Sequence, residues 1–148
     1  MDFELTEEQK DIRRAVQEFT QKEFTKEKAL EYDQKEEFPY ELWKKACKLG
    51  FIGIHFPEEY GGQGFGVFEN VLVIEEFCRV DSSIGVALSL TSFASEIILR
   101  KGNEDQKKKF LHLVAGGRLF LLLLSLSLNM EATLPFYPQK PLGLVVAT

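Results

Sequence analysis

The chain is poor in the residues that carry metal and nucleophile chemistry, with two cysteines and two histidines among 148 residues. Cys47 and Cys78 stand singly inside helical patterns rather than in a spaced pair. That argues against a disulfide framework or a zinc site and fits a reducing, cytoplasmic setting. His55 and His112 have no cysteine or second histidine at ligand spacing, so each reads as an ordinary hydrogen-bonded histidine and no metal site is assigned. A G-x-S-x-G nucleophile elbow is absent. So is a basic stripe: the formal charge is -5, and Lys107, Lys108 and Lys109 form one solvated helix face, which argues against nucleic-acid binding. The opening residues Met1-Asp2-Phe3-Glu4 are acidic where a secretory or mitochondrial leader would be basic.

What is present is an ordinary globular composition, 45% apolar and 28% charged, sufficient for one domain with a buried core. Local signals predict five helices. Thr6 caps the first with Gln9 completing a capping box, and Ile12, Ala15, Val16 and Phe19 recur at three- and four-residue spacing. Phe24 falls off that stripe, so a bend is expected near it, with the helix running to about Ala29. Phe38-Pro39 opens a second helix with buried face Leu42, Trp43, Ala46 and Leu49, closed by Gly50 in left-handed conformation. Trp43, the only tryptophan, reads as a core anchor. Val67, Val71, Leu72, Ile74, Phe77 and Cys78 mark a third helix, with Glu69, Glu75 and Glu76 at polar positions. Asp81-Ser82-Ser83 caps a fourth, whose body Ile84 to Arg100 carries Glu96 as its only interior charge and is expected to be buried on several sides. Asn103 and Gln106 box a fifth, with core positions Phe110, Leu111 and Val114 and a stop at Gly116-Gly117. The fold class is all-α, an antiparallel five-helix domain.

One stretch has no place in a plain helical bundle: Phe51 to Gly66, F-I-G-I-H-F-P-E-E-Y-G-G-Q-G-F-G. Pro57 stops a helix from passing through, and four glycines in six positions suit positive φ or a close backbone approach. Gly62-x-Gly64-x-Gly66 superficially resembles a dinucleotide loop, but the preceding strand and following acidic residue are missing, and no lysine-serine pair follows as in a P-loop. Glu58-Glu59 and Glu75-Glu76 are sequence neighbours that would point about 100 degrees apart on a helix, so neither is a natural acid-base pair.

The run L-T-E-E-Q from Leu5, F-P at Phe38-Pro39, L-G-F-I-G-I-H-F-P-E-E-Y-G-G-Q-G from Leu49 and K-G-N-E-D-Q-K-K-K-F-L from Lys101 together resemble, in order and spacing, the acyl-CoA dehydrogenase family. The resemblance covers residues 3 to 118 and corresponds to that family's N-terminal helical domain. It implies FAD-dependent removal of two hydrogens between the α and β carbons of an acyl-CoA thioester, a glutamate base, and an electron-transferring flavoprotein as acceptor. It also implies that flavin and base sit on a following β-domain and helical bundle. No catalytic or cofactor-binding residue is therefore assigned, and the chain by itself is expected to be inactive. On the fourth helix the resemblance turns Val86, Ser89, Leu90 and Phe93 toward the acyl chain; plain core packing accounts for them equally. The absence of arginine or lysine among the four favours an aliphatic acyl group over a dicarboxylic one. The competing reading is a non-enzymatic helical module that binds a partner protein or a lipid chain through the same helix.

Residues 119–148 depart from the family, which would continue with a strand, A-F-x-L-T-E and then G-S-D. Here an apolar run from Leu119 reaches only Leu128 with serines interposed, short of the roughly 20 residues of a membrane span, and reads as an irregular or strand-like tail. Ser127 to Leu134 can be encoded so that a frame two bases later reads T-E-H-G-S-D-P, with the glycine forced by Met130 and Glu131. The tail is accordingly read as family sequence in a shifted frame. Apolar faces without their usual neighbours, joined to an uncharged tail segment, predict self-association.

Overall fold

The computed structural model describes residues 4–121 together with 146–147. Helix α1 spans Glu7–Glu23, α2 Lys26–Lys35, α3 Tyr40–Lys48, α4 Val67–Val80, α5 Ser82–Leu90, α6 Ser95–Lys101 and α7 Glu104–Ala115. A 3-10 turn, Glu58–Tyr60, lies within the glycine-bearing bend. Strand β1, Phe120–Leu121, pairs antiparallel with β2, Val146–Ala147. The rest of the tail, including the segment in which a shifted frame is read, lies outside the described residues.

The fold class is the expected all-α domain, and the start signals are where the sequence puts them. Thr6 and Gln9 bond reciprocally, as do Asn103 and Gln106. Asp81 accepts from the amide of Ile84 at 2.8 Å. Two predicted helices are each divided. The first ends at Glu23, and Thr25 caps a new helix by accepting from the amide of Lys28. The predicted Ile84–Arg100 body breaks at Thr91–Ala94, where Thr91 turns its hydroxyl back onto the Leu88 carbonyl at 2.6 Å. A threonine bonded to its own backbone competes with continuing the helix. The same segment, Ser82–Lys101, is long and apolar enough to cross a membrane by composition, with a mean hydropathy of 1.5. Here it is interrupted, and it is packed on α4 through α5 and on α7 through α6.

The apolar core collects side chains from every helix except α2 and α6, whose Ala29 and Tyr32, and Ile98 and Leu99, pack only at its edge. Phe19, Phe24, Phe51 and Phe77 stack edge-on or tilted at centroid distances of 5.5 to 6.1 Å. Helices α4 and α5 approach so closely that a Cβ on Gly85 would stand 2.7 Å from the Cys78 amide nitrogen. Cys47 is buried beneath the Val114 carbonyl, and burial pushes its thiol up to about 12. It is an inert core group rather than a nucleophile.

Two corrections concern α4. Val67 and Val71 are exposed, and the buried face is Leu72, Val73, Glu76 and Phe77. Glu76 is only 1% exposed. It accepts from Arg13 Nε at 2.6 Å and Gln17 Nε2 at 3.1 Å on α1, and lies 3.2 Å from Arg79 Nε. A period-3.6 pattern assigns any carboxylate to the wet face, and only the opposing Arg13 and Gln17 make this one tolerable in the interior. Burial raises the carboxyl, but the Arg13 and Gln17 hydrogen bonds and the Arg79 and Arg13 charges outweigh it, so Glu76 is held below its ordinary value.

Trp43 is the anchor expected of it: 3% exposed, with its indole N–H donating to Thr91 Oγ1 at 3.2 Å. Trp43→Ala is expected to cost about 3 to 5 kcal/mol and Trp43→Phe less, since the ring survives and only the Thr91 bond is lost; urea denaturation reads both. Glu76→Gln is expected to cost about 3 kcal/mol at neutral pH by leaving Arg13 without its buried partner. Because the folded carboxyl is depressed, its contribution is present above the unfolded carboxylate range and fades as pH falls through it. The wild-type advantage over Glu76→Gln should therefore shrink toward acid, and a gap that widens would refute the assignment.

Candidate functional site

The bend that begins at Phe51 belongs to the core. Phe51, Ile52, Ile54, Phe56 and Tyr60 are all buried. Its backbone closes on itself: the amides of Gly61, Gly62, Gln63, Gly64 and Phe65 donate to the carbonyls of Glu58, Pro57, Ile54, Phe56 and Ile54. Gly62 lies so close under Phe56 that a Cβ there would overlap the Phe56 carbonyl. The bend is tied to α7 by Tyr60, whose hydroxyl donates to Glu104 Oε2 at 2.6 Å. The Glu104 carboxylate, and after it burial, push the Tyr60 hydroxyl well above the usual phenol range.

This geometry disposes of the phosphate-loop reading in physical terms. A loop that cradles phosphate presents free amide donors. Here the amides of Gly61 to Phe65 are spent on the bend's own carbonyls, and the amide of Gly66 donates to Glu69 Oε2 at 2.8 Å. Among the described residues no group of three or more histidine, cysteine or acidic side chains could hold a metal ion.

The four residues assigned to the acyl side of the fourth helix fall on α5 and the break after it. Val86, Leu90 and Phe93 are 48%, 43% and 55% exposed, and Ile97 on α6 continues the spacing at 51%. Ser89 is half-buried between this face and α4, with its hydroxyl donating to the Gly85 carbonyl at 2.7 Å. Plain core packing is thus the wrong account of Val86, Leu90 and Phe93; the buried face of α5 is Ile84, Gly85 and Leu88. The expectation of burial on several sides holds for one face only. A small void of about 10 Å³ lies beside Ser89 in the seam between α4 and α5. The far larger depression, about 540 Å³, runs along α1 past Lys10, Arg13 and Arg14, each already ion-paired, and is open surface.

His55 departs from the ordinary histidine expected. Its Nε2 lies 2.5 Å from Glu96 Oε1 on α6, yet the alignment is not that of a hydrogen bond, and neither ring nitrogen has a bonding partner among the described residues. The contact sets the bend side by side with α6 at this point. Sequence spacing could not reveal it, because bend and α6 meet only in the fold. His112 is exposed and packs its ring against Gly61.

The sequence matches the family described as "Acyl-CoA dehydrogenase, N-terminal domain" over residues 6–118. The chain belongs to the acyl-CoA dehydrogenase family. A short-chain-specific acyl-CoA dehydrogenase of Clostridium acetobutylicum is 42% identical over 118 residues, 79% of this chain and 31% of that protein. Butyryl-CoA dehydrogenase from Megasphaera elsdenii superposes with a TM-score of 0.71 at 33% identity, over 81% of this chain and 32% of that one. An acyl-CoA dehydrogenase from Bacillus anthracis, solved in complex with FAD, gives 0.66 at 35% identity over 79% of this chain and 20% of that one. The chain spans about a third or less of the length of these relatives. The glycine-rich segment Gly61–Gly66 has no amide left over for the pyrophosphate of an FAD.

The closeness at Gly62 yields a contrast within one loop. Gly62→Ala must displace the Phe56 carbonyl, whereas a Cβ on Gly64, at φ +72, would meet only the Glu58 side chain at an ordinary contact distance of 3.6 Å and carries the left-handed penalty of about 1 to 2 kcal/mol. Thermal melts should rank Gly62→Ala below Gly64→Ala. The reverse order would show that the bend is not closed as described.

Proposed function

We propose that this chain is the N-terminal helical domain of an FAD-dependent acyl-CoA dehydrogenase acting on an aliphatic acyl-CoA thioester, and that its part is to form one wall of the acyl pocket. The observation that carries the reading is the exposed apolar row Val86, Leu90 and Phe93 along the outer side of α5 and the break after it, with no cationic side chain among them. An apolar row with half-polar Ser89 beside it suits an alkyl chain and offers nothing to a terminal carboxylate. Flavin and catalytic base would come from a β-domain and a helical bundle, and electrons would pass to an electron-transferring flavoprotein. Alone, the chain neither binds flavin nor turns over substrate, and its uncovered apolar row drives self-association.

The test joins residues 1–118 to the remaining length of the Clostridium acetobutylicum relative. The expected result is a yellow protein whose flavin is bleached by an acyl-CoA and reoxidised by electron-transferring flavoprotein, while the 148-residue chain alone stays colourless. Leu90→Asn in the joined protein should raise KM more than it lowers kcat, since it weakens binding rather than chemistry. A joined protein that holds flavin but oxidises no acyl-CoA overturns the proposal in favour of a partner- or lipid-binding module. On sizing at micromolar concentration, the 148-residue chain should run larger than a monomer; a sharp monomer peak contradicts the self-association.

A further inference from the structure

The exposed side chains Val86, Leu90, Phe93 and Ile97 follow one another at intervals of four, three and four residues. They make one row only if the chain keeps its winding through the break between α5 and α6. The winding is kept, in a tighter form: the amides of Thr91, Phe93, Ser95 and Ile97 donate to the carbonyls of Leu88, Leu90, Ser92 and Ala94, each three residues back. Such turns stack side chains three apart over one another, which sets Phe93 above Leu90. Val86 and Leu90, like Phe93 and Ile97, share a face at near-helical spacing. The alternation of four and three is the spacing by which one helix packs along another.

The two ends of the row differ in charge. Beyond Ile97 it runs into Arg100 and Lys101, both exposed, and before Val86 it starts at Asp81, Ser82 and Ser83. Arg100 Nε lies 3.1 Å from Glu96 Oε2 on its own helix, and Arg79 is spent on Glu75 and Glu76. Among the described residues at these ends, Lys101 is the surplus cation at one and Asp81 the surplus anion at the other.

We infer that in the isolated chain this row is closed by a second copy of the same chain, two-fold and antiparallel, with Leu90 of each copy against Phe93 of the other, Val86 against Ile97, and Lys101 against Asp81. Charge sets the sense of the pair. A parallel arrangement lays Arg100 and Lys101 on their own duplicates, whereas the two-fold brings each Lys101 to the other copy's Asp81. The midpoint of the row falls between Leu90 and Phe93, so an axis there gives every apolar member an apolar counterpart, as a self-complementary interface requires. Four half-exposed side chains fall short of the roughly 800 Å² per partner that a standard stable interface buries, so the dimer is weak and parts on dilution. The acyl-CoA reading gives the same row to a substrate, and the two occupants exclude each other there.

Sedimentation equilibrium of the intact 148-residue chain should show monomer exchanging with dimer. Phe93→Asp, at an exposed position, should keep the wild-type circular dichroism and lower the association constant by about ten-fold or more. Lys101→Glu should lower it by about two- to five-fold. Disulfide trapping in a Cys78→Ser background reads the orientation: Val86→Cys chains mixed with Ile97→Cys chains should cross-link, and Val86→Cys chains alone should not. A monomer at every concentration, a species that grows beyond the dimer, an association that Phe93→Asp leaves untouched, or cross-linking of Val86→Cys to itself overturns the inference. None of these readouts involves flavin or thioester, so the dehydrogenase reading stands or falls separately.

Discussion

Between Phe56 and Phe65 the backbone folds back under itself, with Gly62 pressed beneath the Phe56 carbonyl and five consecutive amides turned inward. Closing the loop this way removes its polar groups from the need for water, which is the condition for burying irregular backbone at all. Once that is met, the stretch can serve as core. Phe51 and Ile52 fill the space beneath α4 and α5, Phe56 is wholly enclosed, and Tyr60 reaches α7. The helices pack on a plug that none of them contains. A side chain at Gly62 would therefore disturb several interfaces together rather than one turn.

The second constraint is electrostatic. Helices α1 and α4 form the most extensive helix pair of the domain, and the carboxylate of Glu76 is enclosed between them. A buried carboxylate with Arg13, Gln17 and Arg79 around it is weak evidence for extra stability, because an apolar residue of like volume could do as well. It is better evidence for register. Sliding α1 by one residue would move Arg13 and Gln17, which are one turn apart, off the two oxygens they share. The cluster fixes how α1 lies on α4, and with it the position of Phe19 against Phe77.

Much of this was legible in the residues. Capping boxes at Thr6 and Asn103, the Asp81 cap, and the stop at Gly50 are local chemistry, and local chemistry is written locally. The breaks at Thr25 and Thr91 were legible in part: Phe24 marked the first by leaving the stripe, but nothing in an apolar run announces that Thr91 will be met by the indole of Trp43 48 positions away. The settings of Glu76 and His55 were missed for the same reason, the groups beside them lying on other elements. For the candidate wall, sequence supplied the residues by resemblance and could not say whether they were covered. Exposure is a property of the assembled surface, and it separates Val86, Leu90 and Phe93 from Ile84 and Leu88 on the same helix.

That division of α5 has a consequence for how such a domain works. Its inner face is fixed by Gly85 on Cys78 and by Leu88 in the core, and the break after Leu90 is pinned where Thr91 accepts from Trp43. The outer row is consequently presented by a backbone with little freedom to adjust. On the reading proposed above, a wall of this kind would select ligands by shape rather than by moulding to them, since close-packed interiors shift in discrete steps and resist gradual deformation. Substitution on the outer row should change affinity locally, whereas substitution beneath it at Trp43 or Gly85 should change the wall as a unit. On that same reading, what faces the exposed row would come from other parts of the enzyme, and the packed face behind it would hold the row in place.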